Sequence, residues 1–171
     1  MRKVVILVPL IALLVSGCGR RVTLETVSDV PVQQTAAPMQ QVAVELPREA
    51  ALPTMETETG KLYICENYTI SQQILESGDL EKTIRAISGY SREDLKIMQT
   101  TWDQTKRYDF VWTAAGETGE QVCRACILDD GSYHYVLAAF ADASLAGQLQ
   151  DTWREMFSSF RLISPEISTG S

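Results

Sequence analysis

The sequence predicts an α+β domain in which an antiparallel sheet of about six to seven strands is covered by a short helix and a long C-terminal helix. Three observations favour this fold class. The 111 residues between Pro53 and Pro165 contain no proline, and all thirteen aromatic residues lie among them, from Tyr63 to Phe160. Within that stretch, apolar residues alternate at strand spacing in most segments and recur at helical spacing in two. About 104 residues suffice for one hydrophobic core but not for two.

The first part of this domain is predicted to be strands. Val42, Val44 and Leu46 alternate before Pro47, so residues 41–46 are predicted to be a first edge strand, with continued linker as the alternative. A hairpin is predicted next, because alternating apolar residues flank a polar pair. These are Leu62 and Ile64 before Glu66-Asn67, and Tyr68 and Ile70 after it.

A short helix is predicted to follow, capped by Asp79 and ended by Gly89. Its apolar face would consist of Leu80, Ile84 and Ile87. After it, Ser91 to Asp94 has capping-box spacing but alternation resumes at once, so one helical turn and then a strand are expected. A helix throughout this segment is the alternative.

Residues 106–113 give the clearest strand, with Tyr108, Phe110 and Trp112 on one face. Residues 121–128 and 132–140 then flank Asp129-Asp130-Gly131, which is a strong hairpin signal because Asp-Gly tolerates positive φ. Asp142 begins the long helix, and the chain ends on a short segment, Phe160 to Ile163, and a polar tail. The apolar stripe of the helix comprises Leu145, Leu149, Trp153, Met156 and Phe157.

The N-terminus has the pattern of an export signal. Arg2 and Lys3 precede an apolar run of twelve residues, Val4 to Val15, interrupted only by Pro9. Twelve residues reach only about 18 Å as a helix, which is short of the ~30 Å hydrocarbon core of a bilayer. Residues 1–17 are therefore predicted to be a cleaved signal peptide.

The residues around Cys18 resemble the bacterial lipobox, where an aliphatic residue and two small ones precede a cysteine that receives a diacylglyceryl group. The matching string is Leu14-Val15-Ser16-Gly17-Cys18, and Val15 stands where leucine is commonest. The resemblance implies lipid attachment at Cys18, and the alternative is an ordinary secretory signal. Two fatty chains would give a stable anchor on the extracytoplasmic side of the cell membrane.

The composition after Cys18 predicts a tether and then a single domain. Residues 18–60 contain no aromatic residue and are rich in Thr, Gln, Glu, Ala and Pro. Residues 18–40 are therefore predicted to be a lipidated N-terminus and flexible tether, residues 41–164 the domain with its core at 61–164, and residues 165–171 a tail. The net charge of -7 argues against binding nucleic-acid phosphates.

The domain resembles the PsbP-like superfamily, the fold of the photosystem II extrinsic protein and of assorted bacterial lipoproteins. The resemblance would cover Gln41 to Ile163. It implies an antiparallel sheet with a long closing helix and an accessory or binding role, and it implies no chemistry and no photosystem role. The strings that carry it are Arg107-Tyr108-Asp109-Phe110-Val111-Trp112, Ile127-Leu128-Asp129-Asp130-Gly131-Ser132-Tyr133-His134-Tyr135 and Met156-Phe157-Ser158-Ser159-Phe160.

The cysteines and the single histidine are the candidates for chemistry. Cys123 and Cys126 have redox-motif spacing, but strand alternation sends them to opposite faces, so buried structural thiols are predicted. Cys65 could form a disulfide with either of them. If the hairpin turn centres on Asp130-Gly131, His134 lies opposite Ile127 and far from Cys123, which argues against zinc. We therefore expect no metal and no cofactor.

His134 is the only histidine, so any Ser-His or Cys-His catalysis must use it. A histidine between two tyrosines on a strand is more typical of packing or surface exposure. Trp102, Trp112 and the tyrosines could line a groove, but their alternation favours core positions. A pocket that converges on His134 would favour an enzyme, and an exposed apolar patch would favour binding.

These observations predict a non-enzymatic, lipid-anchored accessory or binding module of the bacterial envelope. Its expected partners are the membrane, through Cys18, and an envelope protein or small ligand. The alternative function is an envelope hydrolase that uses the single histidine.

Overall fold

Nine strands and two α-helices are found in the part of the chain that the computed structural model describes, residues 37–116 and 119–163. These residues belong to one unit, Ala36–Ser171. The predicted signal peptide, Cys18, most of the predicted tether and the tail lie outside the described residues. The strands are β1 (Gln41–Ala43), β2 (Met55–Thr57), β3 (Gly60–Ile64), β4 (Tyr68–Glu76), β5 (Ile97–Trp102), β6 (Thr105–Ala115), β7 (Glu120–Asp129), β8 (Tyr133–Asp142) and β9 (Arg161–Ile163), and the helices are α1 (Leu80–Ser88) and α2 (Ala146–Ser159).

Seven of these strands form one antiparallel sheet in the spatial order β2-β3-β4-β8-β7-β6-β5. The central strand pairs β4–β8 and β7–β8 are nine residues long in each register. β8 lies at the centre and is buried along most of its length, because its alternate side chains face two different cores. The predicted fold class, an α+β domain with an antiparallel sheet of six to seven strands and a C-terminal helix, is confirmed at this level.

Each face of the sheet has its own core. On one face, which we call the α2 face, Leu149, Trp153 and Phe157 of α2 pack with Ile70 and Leu137 of the sheet. On the other, the α1 face, the side chain of Ile84 from α1 is fully buried against the sheet. The sheet residues of the α1 core are Tyr108, Phe110, Trp112, Cys123, Ala125, Ile127, Val136 and Ala138.

Helix α1 begins and ends where the sequence predicts, whereas α2 begins at Ala146, after a short 3-10 turn that the predicted start, Asp142, caps. The Asp79 carboxylate accepts a hydrogen bond from the backbone N–H of Glu81, and Gly89 ends α1 with a φ of 78°. Asp142 accepts from the backbone N–H of Ser144 in the short 3-10 turn that leads into α2. A single turn, Arg92–Asp94, precedes β5, which confirms the interpretation of one turn and then a strand.

The β7–β8 hairpin forms, but its register differs from the expected one. His134 lies opposite Asp129, and Ile127 lies opposite Val136. The turn is therefore centred one residue later, between Gly131 and Ser132. The Asp130 carboxylate explains the shift, because it accepts hydrogen bonds from the backbone N–H groups of Ser132 and Tyr133.

The other differences from the prediction concern two short strands and one tryptophan. β1 is not an edge of the main sheet: it pairs with β9 in a separate two-stranded sheet. β2 was not predicted, and its three residues are all exposed, so they show no alternation. Trp102, expected in the core, is 85% exposed at the end of β5, whereas Trp112 is buried.

Candidate functional site

His134 is held in a polar cluster between β8 and α1. Its Nδ1 lies 2.8 Å from the hydroxyl oxygen of Thr83, which α1 brings onto the sheet. Its Nε2 faces the Ser77 hydroxyl at 3.5 Å and the Asp129 carboxylate at 3.9 Å. Ser77 also donates a hydrogen bond of 3.3 Å to Asp129. The Ser77 hydroxyl is thus brought next to the His134 imidazole and the Asp129 carboxylate, although more than fifty residues of chain separate it from both.

The surrounding residues shield His134 and Thr83 of this cluster from solvent. Only 2% of the His134 side chain and 6% of Thr83 are exposed. Burial lowers the pKa of His134, and the nearby carboxylates of Asp129 and Asp130 only partly oppose this effect. The neutral imidazole therefore bonds its neighbours and joins α1 to the sheet. The residues His134, Thr83 and Ser77 line none of three cavities identified among the described residues.

The cysteines lie apart from one another in the fold. Cys123 belongs to the core on the α1 face and Cys126 to the core on the α2 face, as strand alternation predicted. Cys65, Cys123 and Cys126 are all free thiols, so the Cys65 disulfide considered from the sequence does not form here. Burial raises the pKa of Cys123 to about 11 and raises that of Cys126 further. Residues 37–116 and 119–163 contain no group of three or more His, Cys, Asp or Glu residues placed to hold a metal ion.

An open cleft lies between the two-stranded sheet and the main sheet. It has a volume of about 330 Å³, and its walls are part polar and part apolar. We call it the intersheet cleft. Val42 and Phe160 line it from the small sheet and its flank, and Ile74 and Tyr135 line it from the main sheet. The other lining residues are Gln40, Gln41, Thr57, Glu58, Thr59, Gly60, Lys61, Gln72, Gln73 and Val136.

A buried hydrogen-bond network fixes one end of the cleft. The Tyr135 hydroxyl accepts from the backbone N–H of Gln40 at 2.8 Å and donates to Asp130 at 3.0 Å. The Gln40 side-chain amide donates to the same carboxylate at 3.0 Å. Burial would raise the pKa of Asp130, but the N–H groups of Tyr133 and Ser132, together with these side chains, hold it below its ordinary value. Asp130 is therefore a turn residue that also holds the start of the described chain against the sheet.

Gln72 provides an unsatisfied donor in the wall of the cleft. Its side chain is half-buried, and its Nε2 atom is shielded from solvent with no hydrogen-bond partner among the described residues. A buried amide without a partner costs about 1–3 kcal/mol, so an acceptor that reached it from the cleft would recover that free energy. Sequence reasoning missed this residue because β4 is longer than the predicted hairpin strand, and the polar run Ser71-Gln72-Gln73 gave no signal of burial.

The described residues also leave large apolar side chains exposed near one edge of the sheet. Met98 and Trp102 on β5 are 63% and 85% exposed, and Val111 on β6 is 60% exposed. All three lie on the α2 face. No helix among the described residues is long and apolar enough to cross a membrane.

Comparison with known proteins identifies no family for this chain, but it shows a fold shared with a solved structure. No family model matches the chain, and no curated protein sequence matches it. Among solved structures, it is similar to LpqN, described as involved in cell envelope biogenesis of Mycobacterium tuberculosis, with a TM-score of 0.50 and 10% identity over 74% of this chain and 85% of that one. It is also similar to PA94, a Pseudomonas aeruginosa protein of unknown function, with a TM-score of 0.44 and 10% identity over 77% and 87%. At this identity, the match to LpqN shows a shared fold.

Proposed function

We propose that this chain is a non-enzymatic, lipid-anchored accessory module of the bacterial envelope that binds an envelope protein or a small ligand in the intersheet cleft. The observation that carries the proposal is the unpartnered Nε2 of Gln72 in the wall of an open, partly apolar cleft. Binding sites combine apolar walls with a few polar groups that fix orientation, and the cleft has both.

The membrane anchor rests on the sequence around Cys18. The lipobox-like string ends at this cysteine, and a diacylglyceryl group would hold the chain at the outer side of the cell membrane. About 18 residues separate Cys18 from Ala37, where the described chain begins to bond the sheet; as a flexible coil they would let the domain reach roughly 23 Å from the anchor. The cleft would then be presented to partners close to the membrane surface.

The structural comparison supports placing the protein in the envelope. LpqN, which has the same fold, is described as involved in cell envelope biogenesis. The PsbP-like assignment, made from the residue strings of β6, the β7–β8 hairpin and α2, agrees with an accessory or binding role.

The sealed state of His134 favours binding over hydrolysis. A general base must reach the substrate directly or through one water molecule, and a 2% exposed imidazole bonded to Thr83 does not. The cleft that is open to solvent is lined by amides, hydroxyls and apolar groups instead.

The anchor is tested by Cys18→Ala, with Cys65→Ala as the matched control. Cells that express the full chain are fed an alkyne-tagged palmitate, fractionated and probed for label. We expect the wild type and Cys65→Ala to be labelled and membrane-bound, and Cys18→Ala to be unlabelled and released. Membrane retention of Cys18→Ala would overturn the anchor.

Binding in the cleft is tested by photo-crosslinking in the same cells. A photoreactive amino acid is placed at Thr59, on the cleft, and for comparison at the exposed Asp151 of α2. We expect a discrete adduct from Thr59 alone, reduced when Gln72→Leu is added and unchanged by Gln148→Leu on the surface of α2. Identical adducts from both positions, or none from Thr59, would contradict a ligand site in the cleft.

A further inference from the structure

The two edges of the main sheet are protected very differently. β2 has only three residues, and Glu56 at its centre forms an ion pair of 2.7 Å with Lys61 of β3. Shortness and charge are the usual ways in which an edge strand avoids pairing with another chain. β5 has six residues, Ile97–Trp102, and none of them is charged, Pro or Gly. Five of the six are exposed.

Exposed apolar side chains lie at both edges of the sheet. At one edge Met55 belongs to the short strand that Glu56 protects, whereas β5 carries Met98 and Trp102 with no charged residue between them. Met98 and Trp102 are four residues apart on β5, so both project to the α2 face with Thr100 between them. Val111 of β6 continues the apolar surface one strand further into the sheet. An exposed tryptophan and methionine next to backbone N–H and C=O groups that no described strand pairs indicate a surface for strand addition.

We propose that β5 is a self-association edge, at which two copies of this chain pair their β5 strands antiparallel about a twofold axis at Thr100. In this register Thr100 lies opposite Thr100 of the partner, and Gln99 lies opposite Thr101. Met98 of each copy then lies opposite Trp102 of the other, so each exposed methionine contacts an exposed indole ring. Met-aromatic contacts are favourable, and the twofold axis forms this one twice.

The backbone permits this register. Asp103 and Gln104 form a two-residue turn with φ of 45° and 66°, and Trp102 pairs with Thr105 across it. The residues that flank such a turn are a hydrogen-bonded pair, so Trp102, Thr100 and Met98 direct their backbone groups toward β6. The groups of Ile97, Gln99 and Thr101 point outward. Gln99 and the partner's Thr101 therefore meet as a hydrogen-bonded pair.

The charges at the ends of the strand also favour a second antiparallel copy. Lys96 precedes β5 and Asp103 follows it, and both are exposed. Antiparallel pairing brings each Lys96 to the end where the partner's Asp103 lies, whereas parallel pairing would place like charges side by side. Because the strand itself carries no charge, two copies of an acidic chain can approach there without local repulsion.

Cysteine scanning along β5 tests the register. The full chain carries Cys65→Ser to remove the half-exposed thiol, and either Thr100→Cys or Gln99→Cys is added. Thr100 and the partner's Thr100 would form a non-hydrogen-bonded pair with Cα atoms about 4.5 Å apart, within disulfide range. The two Gln99 residues would be offset by two positions, roughly 8 Å apart, which is too far.

Under mild oxidation we expect a covalent dimer from Thr100→Cys only. The Cys65→Ser parent without a new cysteine serves as the blank. A dimer from Gln99→Cys at the same rate as from Thr100→Cys would overturn the register, and so would the absence of a Thr100→Cys dimer.

Light scattering of the full chain in detergent, over a dilution series, tests the association without crosslinks. We expect a dimer whose dissociation constant rises about tenfold or more in Thr100→Lys, because two like charges then face each other at the axis. The control, Thr113→Lys, lies on an exposed site of β6 and should leave the constant unchanged. A monomer at ~100 μM, or a dimer that Thr100→Lys does not weaken, would overturn the proposal.

Discussion

His134 is a titratable group that the interior keeps neutral, so its protonation opposes folding. Burial lowers its pKa below the ordinary 6.5, whereas the unfolded chain takes up the proton near that value. Between about pH 5 and 7 the unfolded state therefore binds more protons, and stability falls as the pH falls. Urea titrations across this range should show that slope in the wild type and a flatter profile in His134→Gln. Equal slopes would mean that His134 does not carry the effect.

The thiols of Cys65, Cys123 and Cys126 should react with an alkylating reagent at different rates, because they are buried to different extents. Cys123 is fully buried with a pKa near 11, whereas Cys65 is half-buried and its pKa is raised less. Because the thiolate is the nucleophile, iodoacetamide at pH 8 should modify Cys65 first and leave Cys123 and Cys126 unmodified in the folded chain. Peptide mass spectrometry over time measures the order. Labelling of Cys123 as fast as Cys65 would contradict the burial of Cys123, and denaturant should make all three thiols react.

For single residues, the sequence predicted the sheet face on which a side chain lies more reliably than the residue opposite it on the neighbouring strand. Strand alternation placed His134 on the face of Cys123 and Ala125, and that is confirmed. A shift of the turn by one residue changes every opposite partner by two positions, and so leaves each face unchanged. Nothing local in the sequence showed that Asp130 would bond two N–H groups and set the later turn.

One glycine ends α1 and another lies in the first turn of α2. Replacing each with alanine should change the free energy of unfolding in opposite directions. Gly89 ends α1 with a φ of 78°, which an L side chain adopts at a cost of about 1 kcal/mol. Gly147 lies in the first turn of α2, and a Cβ there would meet no atom within 4 Å. We expect Gly89→Ala to lower the free energy of unfolding by about 1 kcal/mol and Gly147→Ala to raise it by up to about 1 kcal/mol.

Chemical denaturation of the two variants beside the wild type tests this pair. The signs of the two changes in the free energy of unfolding decide the test, because a general effect of an added methyl group would change the stability of both variants in the same direction. If both changes were stabilising, the left-handed helix end at Gly89 would be contradicted.

Elements with strong local signals were predictable, and elements defined by a distant partner were not. Asp79 and Gly89 mark both ends of α1 in the sequence itself. β1 and β9 are three residues each and exist as strands because they pair across about 120 residues of chain, which no local pattern encodes. The alternation of Val42 and Val44 predicted a strand but could not indicate which sheet it joins.

The whole domain is held together by contacts from both faces of one sheet. Arg107 illustrates this, because its guanidinium donates to Asp109 on its own strand and to the backbone carbonyls of Phe157 and Phe160 at the end of α2. Arg124 stacks on the Phe157 ring beside it, 4.4 Å from the ring centroid. Charged residues of β6 and β7 thus fix where α2 ends and where β9 begins. The position of β9 in turn places β1 and the wall of the intersheet cleft.

The N-terminal part of this arrangement depends on one hydroxyl group. The fully buried Tyr135 accepts from the Gln40 backbone N–H and donates to Asp130, so Tyr135→Phe removes both bonds while keeping the ring. We expect amides of residues 38–43 to exchange about fivefold faster in hydrogen-exchange mass spectrometry, because local opening becomes easier by about 1 kcal/mol. Tyr90→Phe is the matched control, since its hydroxyl bonds only the Thr113 carbonyl at 3.1 Å, away from the cleft. If exchange at residues 38–43 is the same in both variants and the wild type, the network does not hold β1, and the cleft needs another support.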